Sequence, residues 1–522
     1  MRKLVGCLVI LIAAPCARPI DLDSLLLKSA GSAGALETIN RLKTIASSGT
    51  VVLNGQAGTF THYVAVPDRY YLNVSFEGFS LVQAFDGAVA WQQDMNGGVS
   101  RVEGYARREL LKNLYFESFL YLKSSGEERA YLGTRDLDGT LYHLVAFFPY
   151  DDDTVYCFFN VETARRELLV TSLDQVTLVS YLGDYRPVSE LPFPFYQYGS
   201  AEEIAYETEF TVDTVVLNGT VPDSIFAMPV IAASDYHFPD HTQAVVIPFS
   251  YAAGHIRVPI VISGRKKSWA ILDSGASANI LHTAAVSELD LPAVGRLPVM
   301  GVAGYEEVDL VRTDSLQVGE LTLYRQVAGA MDLSDVSSHF GFDSSFGGML
   351  GHDFLSRFPM LVRFSDSSLV VFNPESFEPP PGGTAVDFFL TMLIPTVEAE
   401  INGIGGRFIV DLGNAYSVVL HHHFVRENDL ANRLTDVAVN RLGFGGVGGT
   451  IGGRSATAAT FTVGGVSVES LQVFMPDSGS GIAGSEALAG NIGSLFLQNY
   501  DVLFDYRNSR IIFYEAGSVE SD

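Results

Sequence analysis

Cysteine is scarce in this 522-residue chain, which contains only Cys7, Cys16 and Cys157. Small exported domains that lack a large core are commonly cross-linked by several disulfides. Three cysteines are too few for such a framework. Cys157 lies in the apolar run 155–159, and we interpret it as a small buried hydrophobic residue.

Basic residues are also few, with 33 Lys and Arg against 60 Asp and Glu and a net charge of −27. A nucleic-acid partner requires a basic surface that neutralises phosphates, so this composition argues against one. Acidity of this size also keeps a protein soluble. It therefore does not by itself indicate a particular partner.

Long apolar runs are lacking beyond the amino terminus. Met1-Arg2-Lys3 precedes an apolar stretch at positions 4–14, which is the charged-then-apolar pattern of a secretory signal peptide and too short to span a bilayer. We predict a signal peptide at residues 1–17 and an exported protein, periplasmic or secreted. The alternative is a lipoprotein anchored through Cys16, although Pro15 fits that motif poorly.

Glycine, phenylalanine and tyrosine are abundant, at 50, 34 and 23 residues. Short runs rich in Val, Ile, Tyr and Phe lie between turn residues, and this pattern predicts a mainly β chain of several domains. Leu36, Leu42 and Ile45 recur at helical spacing, so a helix is expected there. The residues from 107 to 122 also have a helical pattern.

The region from about residue 20 to 231 resembles the LolA-like family. The resemblance is carried by the helix-then-meander order, by Ala84-Phe-Asp-Gly-Ala-Val-Ala-Trp91, by the turn at 160–165 and by the closing Pro222-Asp-Ser-Ile-Phe226. It implies a curved, incomplete antiparallel β-barrel that holds a lipid or acyl ligand. Trp91 and the many aromatic residues would line the concavity or simply fill the core. Residues 231–239 are interpreted as a linker.

The strongest local signal is Ala270-Ile-Leu-Asp273-Ser-Gly275, an apolar strand that leads into an Asp-Ser-Gly turn. A second strand, 407–410, leads into Asp411-Leu-Gly413, 138 residues later. Each turn precedes an apolar-Gly segment that ends at Gly351 or Gly493, at spacings of 78 and 82 residues. The two halves are therefore predicted to be internal repeats, separated by the proline-rich stretch 376–384.

These motifs resemble the retropepsin-like aspartic peptidases, with both lobes in one polypeptide as in pepsins. The resemblance implies two β-barrel lobes that form a pseudo-dimer, lobe one at 244–375 and lobe two at 385–516. It implies a catalytic dyad of Asp273 and Asp411. The other residues that it implies are those supporting the dyad, Ser274, Gly275, Gly413, Gly351 and Gly493, and a flap at Gly304 and Tyr305, with the glycine-rich stretch 443–453 in lobe two.

Two carboxylates that share one proton can activate a water with the ionised partner and protonate the scissile carbonyl with the other. No cofactor is needed, and a peptide or protein is the expected substrate of what we expect to be a monomer. Adjacent His421, His422 and His423 point in different directions, so no metal site is predicted.

Lobe two departs from the family pattern at Leu412, where a hydroxyl residue would bond to the opposite lobe, and at Asn414. The Asn414 amide could bond to the Asp411 carboxylate instead. The departure keeps a second hypothesis open, in which the protein is a non-catalytic lipid- or peptide-binding envelope protein whose cleft binds peptide by strand addition.

Overall fold

The computed structural model describes residues 20–150, 153–201, 203–229, 235–302, 304–339 and 345–519. The predicted signal peptide lies outside these residues. The chain divides into two compact units, one formed by 1–94 with 99–230 and the other by 95–98 with 231–522. Across the described ranges, no helix is long and apolar enough to cross a membrane.

In the residues that the structure describes, the first unit is one antiparallel sheet with three helices. The helices are α1 (Leu22–Ala30), α2 (Ala33–Asn40) and α3 (Gly104–Glu117), with 3₁₀ turns at Leu120–Lys123, Gly126–Glu128 and Asp223–Ile225. The strands are β1 (Thr44–Leu53), β2 (Gln56–Ala65), β3 (Arg69–Phe76), β4 (Phe79–Phe85), β5 (Ala90–Gln93), β6 (Val99–Arg101), β7 (Arg129–Leu137), β8 (Thr140–Phe147), β9 (Val155–Asn160), β10 (Arg166–Leu173), β11 (Val176–Val188), β12 (Leu191–Ala201) and β13 (Tyr206–Leu217).

These strands form a single sheet in the order β6-β5-β4-β3-β2-β1-β13-β12-β11-β10-β9-β8-β7. Helix α3 contributes Leu110, Leu114 and Phe116 to the main core of this unit, where they pack with strand residues such as Val64 and Phe147. Cys157 is fully buried in the same core. The order is consistent with a curved antiparallel sheet, while the LolA-like resemblance stays a prediction.

The helix expected from Leu36 to Ile45 is shorter than its periodicity indicates. Helix α2 ends at Asn40, and Ile45 lies instead in β1, paired with Val64 and Leu217. β-branched residues from Thr44 onward favour a strand, and neighbours on both sides supply the ladder hydrogen bonds. Tertiary pairing therefore overrides the helical spacing.

The second unit contains the remaining elements. Its strands are β14 (Tyr236–His237), β15 (Ala244–Pro248), β16 (Ser250–Ala252), β17 (His255–Ile262), β18 (Lys266–Leu272), β19 (Ile280–His282), β20 (Ala293–Met300), β21 (Tyr305–Arg312), β22 (Ser315–Val318), β23 (Leu321–Tyr324), β24 (Val327–Met331), β25 (Phe346–Leu350), β26 (Met360–Arg363), β27 (Ser368–Phe372), β28 (Thr384–Asp387), β29 (Phe389–Thr391), β30 (Ile394–Ile401), β31 (Ile404–Asp411), β32 (Val418–Leu420), β33 (Thr435–Gly446), β34 (Gly449–Val463), β35 (Val466–Pro476), β36 (Gly490–Gly493), β37 (Tyr500–Asp505) and β38 (Arg510–Glu515).

Its helices are short, and they follow the strands that matter for the site. They are α4 (Thr283–Leu289), α5 (Ser334–His339), α6 (His352–Leu355), α7 (His422–Glu427), α8 (Leu430–Arg433) and α9 (Ser494–Leu497), with 3₁₀ turns at Gly481–Gly484 and Tyr506–Asn508.

Three sheets organise the second unit. One contains β14 and β16–β25, another contains β29–β36, and a six-stranded sheet in the order β15-β27-β26-β37-β38-β28 joins strands from both halves of the unit. Its central pair, β26 and β37, runs antiparallel with Met360 opposite Phe504. The expectation of a mainly β chain is confirmed, while the pseudo-dimer stays a prediction.

The short strand β14 lies inside the stretch interpreted as a linker. Tyr236 pairs with Leu323, and the Asp235 carboxylate accepts hydrogen bonds from Arg357 at 3.0 Å. The second unit therefore already contains paired backbone before residue 244, where lobe one was predicted to start. The strand pairing and the Asp235–Arg357 ion pair hold residues 235–237, although their sequence is poor in periodic apolar positions.

Candidate active site

Asp273 lies directly after β18, at the point where that strand leaves the core. Ile271 and Leu272 are buried, and β18 runs parallel to β25 with Leu272 opposite Leu350. The Asp273 backbone N–H donates to the Leu350 carbonyl at 2.9 Å. The carboxylate is therefore fixed by the same ladder that holds the neighbouring strand.

Asp411 has the same position in the second half of the unit. It is the last residue of β31, which runs parallel to β36 and places Asp411 opposite Gly493. In both halves, a short strand after the turn, β19 or β32, then pairs antiparallel with the glycine-bearing strand. The predicted repeat thus corresponds to two copies of one local arrangement.

The structure brings the two carboxylates together. A Cβ built on Gly275 would lie 2.4 Å from the Asp411 Cγ, and one on Gly413 would lie 2.5 Å from the Asp273 Cγ. Any side chain at either glycine would displace the opposite carboxylate, which is why the two turns require glycine.

Gly351 and Gly493, the other predicted supports, are equally constrained. A Cβ on Gly351 would lie 2.3 Å from the Ala278 carbonyl oxygen, and one on Gly493 would lie 2.2 Å from the Tyr416 carbonyl oxygen. Each glycine lets its strand pass directly beside the residues that follow the aspartate turn. These two positions support the loops rather than contact the carboxylates.

Ser274 connects the two turns through its hydroxyl group. The hydroxyl donates to the Val410 carbonyl at 2.8 Å and accepts from the Leu412 backbone N–H at 2.9 Å. Ser274 is buried. If its hydroxyl group were removed, the Val410 carbonyl and the Leu412 N–H would each lose the hydrogen bond that connects them to the opposite turn. This is the interlobe hydrogen bond that the resemblance implies for lobe one.

Leu412 has no hydroxyl to return that bond. Its side chain is fully buried in the large apolar cluster of the unit, with Val410, Val418 and Phe408 among the members. The turn of Asp273 therefore contacts the opposite turn through a hydroxyl group, that of Ser274, whereas the turn of Asp411 has the apolar Leu412 at the equivalent position. The leucine is accommodated because its position faces core rather than solvent.

The amide of Asn414 does not reach the Asp411 carboxylate, so that part of the expectation is wrong. Its Nδ2 donates to Asn491 Oδ1 at 3.0 Å, and Asn491 Nδ2 in turn donates to Asp411 Oδ2 at 2.7 Å. The backbone N–H groups of Gly413 and Asn414 complete the shell around Asp411 Oδ1, at 2.8 and 3.1 Å.

Asn491 was missed by the sequence reasoning, which treated Asn491-Ile492-Gly493 only as an apolar-Gly element. Two buried asparagines, Asn414 and Asn491, face each other across the loop and the strand. A polar residue in an otherwise apolar strand beside an active-site candidate was the available signal, because buried amides are retained only where they are hydrogen-bonded.

Lobe one holds the corresponding strand with different polar residues. Asn279 Oδ1 accepts from the Gly351 N–H at 2.9 Å, and the Asn279 N–H donates to Asp353 Oδ2 at 2.7 Å. Neither side chain donates to Asp273 in these contacts. The Asp273 carboxylate instead accepts from the Gly275 N–H at 2.9 Å through its Oδ1.

The two carboxyl groups differ in their pKa values accordingly. Burial, followed by the charge of Asp411, raises the pKa of Asp273 well above its usual range. Burial also raises the pKa of Asp411, but the Asn491 amide and the backbone N–H groups oppose the rise. Asp411, which accepts hydrogen bonds from one side-chain amide and two backbone N–H groups, is therefore better stabilised as an anion than Asp273.

Two hairpin tips from the two halves of the unit meet each other. Gly304 and Tyr305, the predicted flap, belong to the β20–β21 hairpin, in which Tyr305 pairs with Met300. The Val302 N–H in its tip donates to the carbonyl of Val447, in the turn between β33 and β34, at 2.7 Å.

Each tip also places a valine in the other half's apolar cluster. Val302 packs against the cluster of Val419, Phe444 and Phe474, and Val447 packs against the cluster that contains Ile271 and Phe346. The glycine-rich stretch 443–453 is thus a second hairpin that mirrors the first. The relation of Tyr305 to a substrate stays a prediction.

The three adjacent histidines lie in different surroundings. His421 is buried and precedes α7, and burial lowers its pKa to about 4. His422 Nδ1 lies 3.4 Å from the Pro476 carbonyl, whereas His423 Nε2 lies 3.0 Å from the Glu427 carboxylate. They directly follow β32 and lead into α7.

Comparisons with known proteins address the second unit. Residues 258–354 match the sequence profile of a family described as "Aspartyl protease", which supports an aspartic peptidase-like domain. The chain is also similar to the crystal structure of an aspartic proteinase from Irpex lacteus, at 14% identity and a TM-score of 0.36, covering 52% of this chain and 98% of that one. No curated protein sequence matches.

Proposed function

We propose that the protein is an aspartic endopeptidase in which Asp273 and Asp411 together activate a water for peptide hydrolysis. The proposal is supported above all by the two half-buried carboxylates, each of which is packed against the glycine of the opposite turn. The family match over residues 258–354 is in agreement with this chemistry.

In the proposed mechanism, Asp411 is the base and Asp273 is the acid. The charged Asp411 takes a proton from the water as the water attacks the scissile carbonyl, while Asp273 donates its proton to the carbonyl oxygen. The tetrahedral intermediate then collapses: Asp411 gives its proton to the leaving amine as the C–N bond breaks, and Asp273 takes a proton from one of the two hydroxyl groups. The products are an amine and a carboxylic acid, and each aspartate has regained its starting protonation.

An exported location is part of the proposal and rests on the sequence of residues 1–17. The charged-then-apolar pattern predicts a mature chain that begins between residues 15 and 19. Intact-mass measurement of the protein from its native host tests this. Retention of Met1 would contradict export, and added mass of a diacylglycerol on Cys16 would favour the lipoprotein.

Cleavage of a mixed peptide library tests the proposed activity. We expect the full chain to hydrolyse peptides within the range of about pH 3 to 7, which brackets coupled carboxyl groups. Asp273→Asn should cleave them at least about 10²-fold more slowly while its circular dichroism is unchanged. A wild-type protein that binds library peptides and cleaves none across this range would favour the alternative, a non-catalytic binding protein. Leu412, which replaces the hydroxyl residue of the family pattern, is the feature that keeps this alternative open.

A further inference from the structure

The first unit contains a cavity of about 330 Å³ that the proposed peptidase reaction does not use. Small-molecule sites commonly have volumes of about 300–1,000 Å³ and are mainly apolar, with a few polar groups that orient the ligand. Aromatic side chains that include Phe60, Phe119 and Phe193 line this cavity. Its size and walls suit a small ligand with an apolar body.

One charged side chain in the wall has no anionic partner. Arg166 lines the cavity, is only 8% exposed, and has both Nε and Nη1 buried without a hydrogen-bond acceptor. Among the residues that the structure describes, no carboxylate lies within ion-pair distance of its guanidinium group. An uncompensated buried charge is costly for the folded state, so a site of this kind is incomplete without an anion.

Aromatic rings hold the Arg166 guanidinium in place. Its Cζ lies 4.4 Å from the centre of the Tyr121 ring and 5.0 Å from that of Phe116. Cation–π contacts orient the planar group, but they leave its N–H donors free. The neighbouring Arg165 also lines the cavity, stacks over Tyr185 at 4.9 Å and has a buried Nη1 without an acceptor.

The nearest acidic wall residue is already paired. Glu117 lines the same cavity, and its Oε2 lies 2.7 Å from His62 Nε2. Glu117 contributes to the electrostatic environment of Arg166 without forming an ion pair with it. The cavity therefore combines a close His62–Glu117 contact with two arginines that have buried N–H donors lacking an acceptor.

We propose that this cavity binds an amphipathic carboxylate, with the carboxylate paired to Arg166 and an apolar chain packed among the aromatic walls. A guanidinium group matches the planar geometry of a carboxylate with two parallel N–H donors. The aromatic walls bury the rest of the ligand. This binding site is separate from the Asp273/Asp411 chemistry and does not depend on it.

Calorimetric titration of the full chain with decanoate tests the proposal, with decanol and decyl phosphate as comparators. We expect decanoate to bind at least about tenfold more tightly than decanol, because a hydrogen bond to a charged group is gained. Arg166→Met, which keeps an apolar stem, should remove this preference while decanol binding is unchanged.

Arg186→Met is the matched control. Arg186 also stacks on an aromatic ring, that of Phe195 at 4.6 Å, but it pairs with Asp184 and is not part of the cavity wall. The control should bind decanoate like the wild type. If Arg166→Met does not fold, the wild-type preference for decanoate over decanol decides the matter.

The proposal would be overturned if decanoate bound no more tightly than decanol or did not bind. Unchanged decanoate binding in Arg166→Met would overturn it too, because the arginine would then not be the anion site. Tighter binding of decyl phosphate than of decanoate would replace the carboxylate by a phosphate. Since no outcome involves peptide cleavage, failure here is distinguishable from failure of the peptidase proposal.

Discussion

Asp273 and Asp411 end corresponding strands of the two halves of the second unit, yet their polar surroundings differ. Asp411 accepts a hydrogen bond from the side-chain amide of Asn491. In the turn of Asp273, by contrast, the Ser274 hydroxyl bonds to backbone groups of the turn that contains Asp411. The turn of Asp273 thus supplies the hydrogen bonds between the two turns, and the turn of Asp411 supplies the stabilised negative charge. Two copies of one backbone arrangement can therefore carry different side chains that perform different tasks.

The division also bears on Leu412. A hydroxyl missing from one turn leaves the two carboxylates in contact, because Ser274 alone contacts both Val410 and Leu412 and the glycines set the approach. The apolar leucine removes one polar connection without opening the dyad. It is thus compatible with the proposed chemistry.

The largest effect on stability is expected for Ser274→Ala. The change leaves the Val410 carbonyl and the Leu412 N–H without their buried partner, at a cost of about 1–3 kcal/mol each. Urea denaturation measures the loss. Ser277→Ala is the control, because Ser277 bonds to the Met392 carbonyl from an exposed position and should cost less. Equal losses in the two variants would contradict the role given to Ser274.

Leu412→Thr is expected to destabilise the protein by about 2 kcal/mol, since it removes buried apolar groups and places a hydroxyl in an apolar core. The new hydroxyl matches the family pattern at this position. We nevertheless expect the measured activity not to rise, because less of the protein is folded. Leu412→Met, which conserves volume, should cost less than about 1.5 kcal/mol. A threonine variant more stable than the wild type would contradict this, because it would show that a polar group near residue 412 forms a hydrogen bond with the new hydroxyl.

The two halves of the second unit can be made more alike by Asn491→Met, which gives β36 the residue that β25 has at Met349. The variant loses the amide that opposes the rise in the pKa of Asp411, so this pKa should increase. Asp411 then becomes protonated at a higher pH, and the acidic limb of the pH profile of kcat/KM should move to higher pH. An unmoved limb would mean that Asn491 does not stabilise the charge.

A smaller effect is expected on the pH dependence of stability. Folding raises the pKa of Asp273, so this carboxyl group contributes stability below the pKa of its unfolded form and loses it as pH rises through the folded pKa. Asp273→Asn removes that loss. Its melting temperature should exceed that of the wild type near neutral pH, and the difference should shrink toward pH 3. A constant difference would contradict the assignment of the proton to Asp273.

The sequence predicted those features that depend on local pattern. Asp273, Asp411 and the four glycines could be identified because strand-Asp-x-Gly turns and apolar-Gly segments occur twice at similar spacing. The mainly β character was likewise predictable, since short β-branched and aromatic runs are bounded by turn residues, as in β9, which contains the apolar run 155–159.

What escaped prediction depends on tertiary contacts. The partner of Asn414 could not be read from spacing, because Asn491 lies 77 positions away and is brought near only by the pairing of β31 with β36. The β11 and β12 strands carry prolines at 187, 192 and 194, which disfavour strands in isolation. The early end of α2 likewise reflects pairing of β1 with strands on both sides.

The central claim is that Asp273 and Asp411 act as one unit, and a double-mutant comparison tests it most directly. Measured as kcat/KM on a peptide that the wild type cleaves, Asp273→Asn and Asp411→Asn should each lose about 10²–10⁴-fold. The double variant should lose no more than the worse single variant, because groups that act as a unit are non-additive. Multiplied losses in the double variant, or an active Asp411→Asn, would contradict a shared dyad.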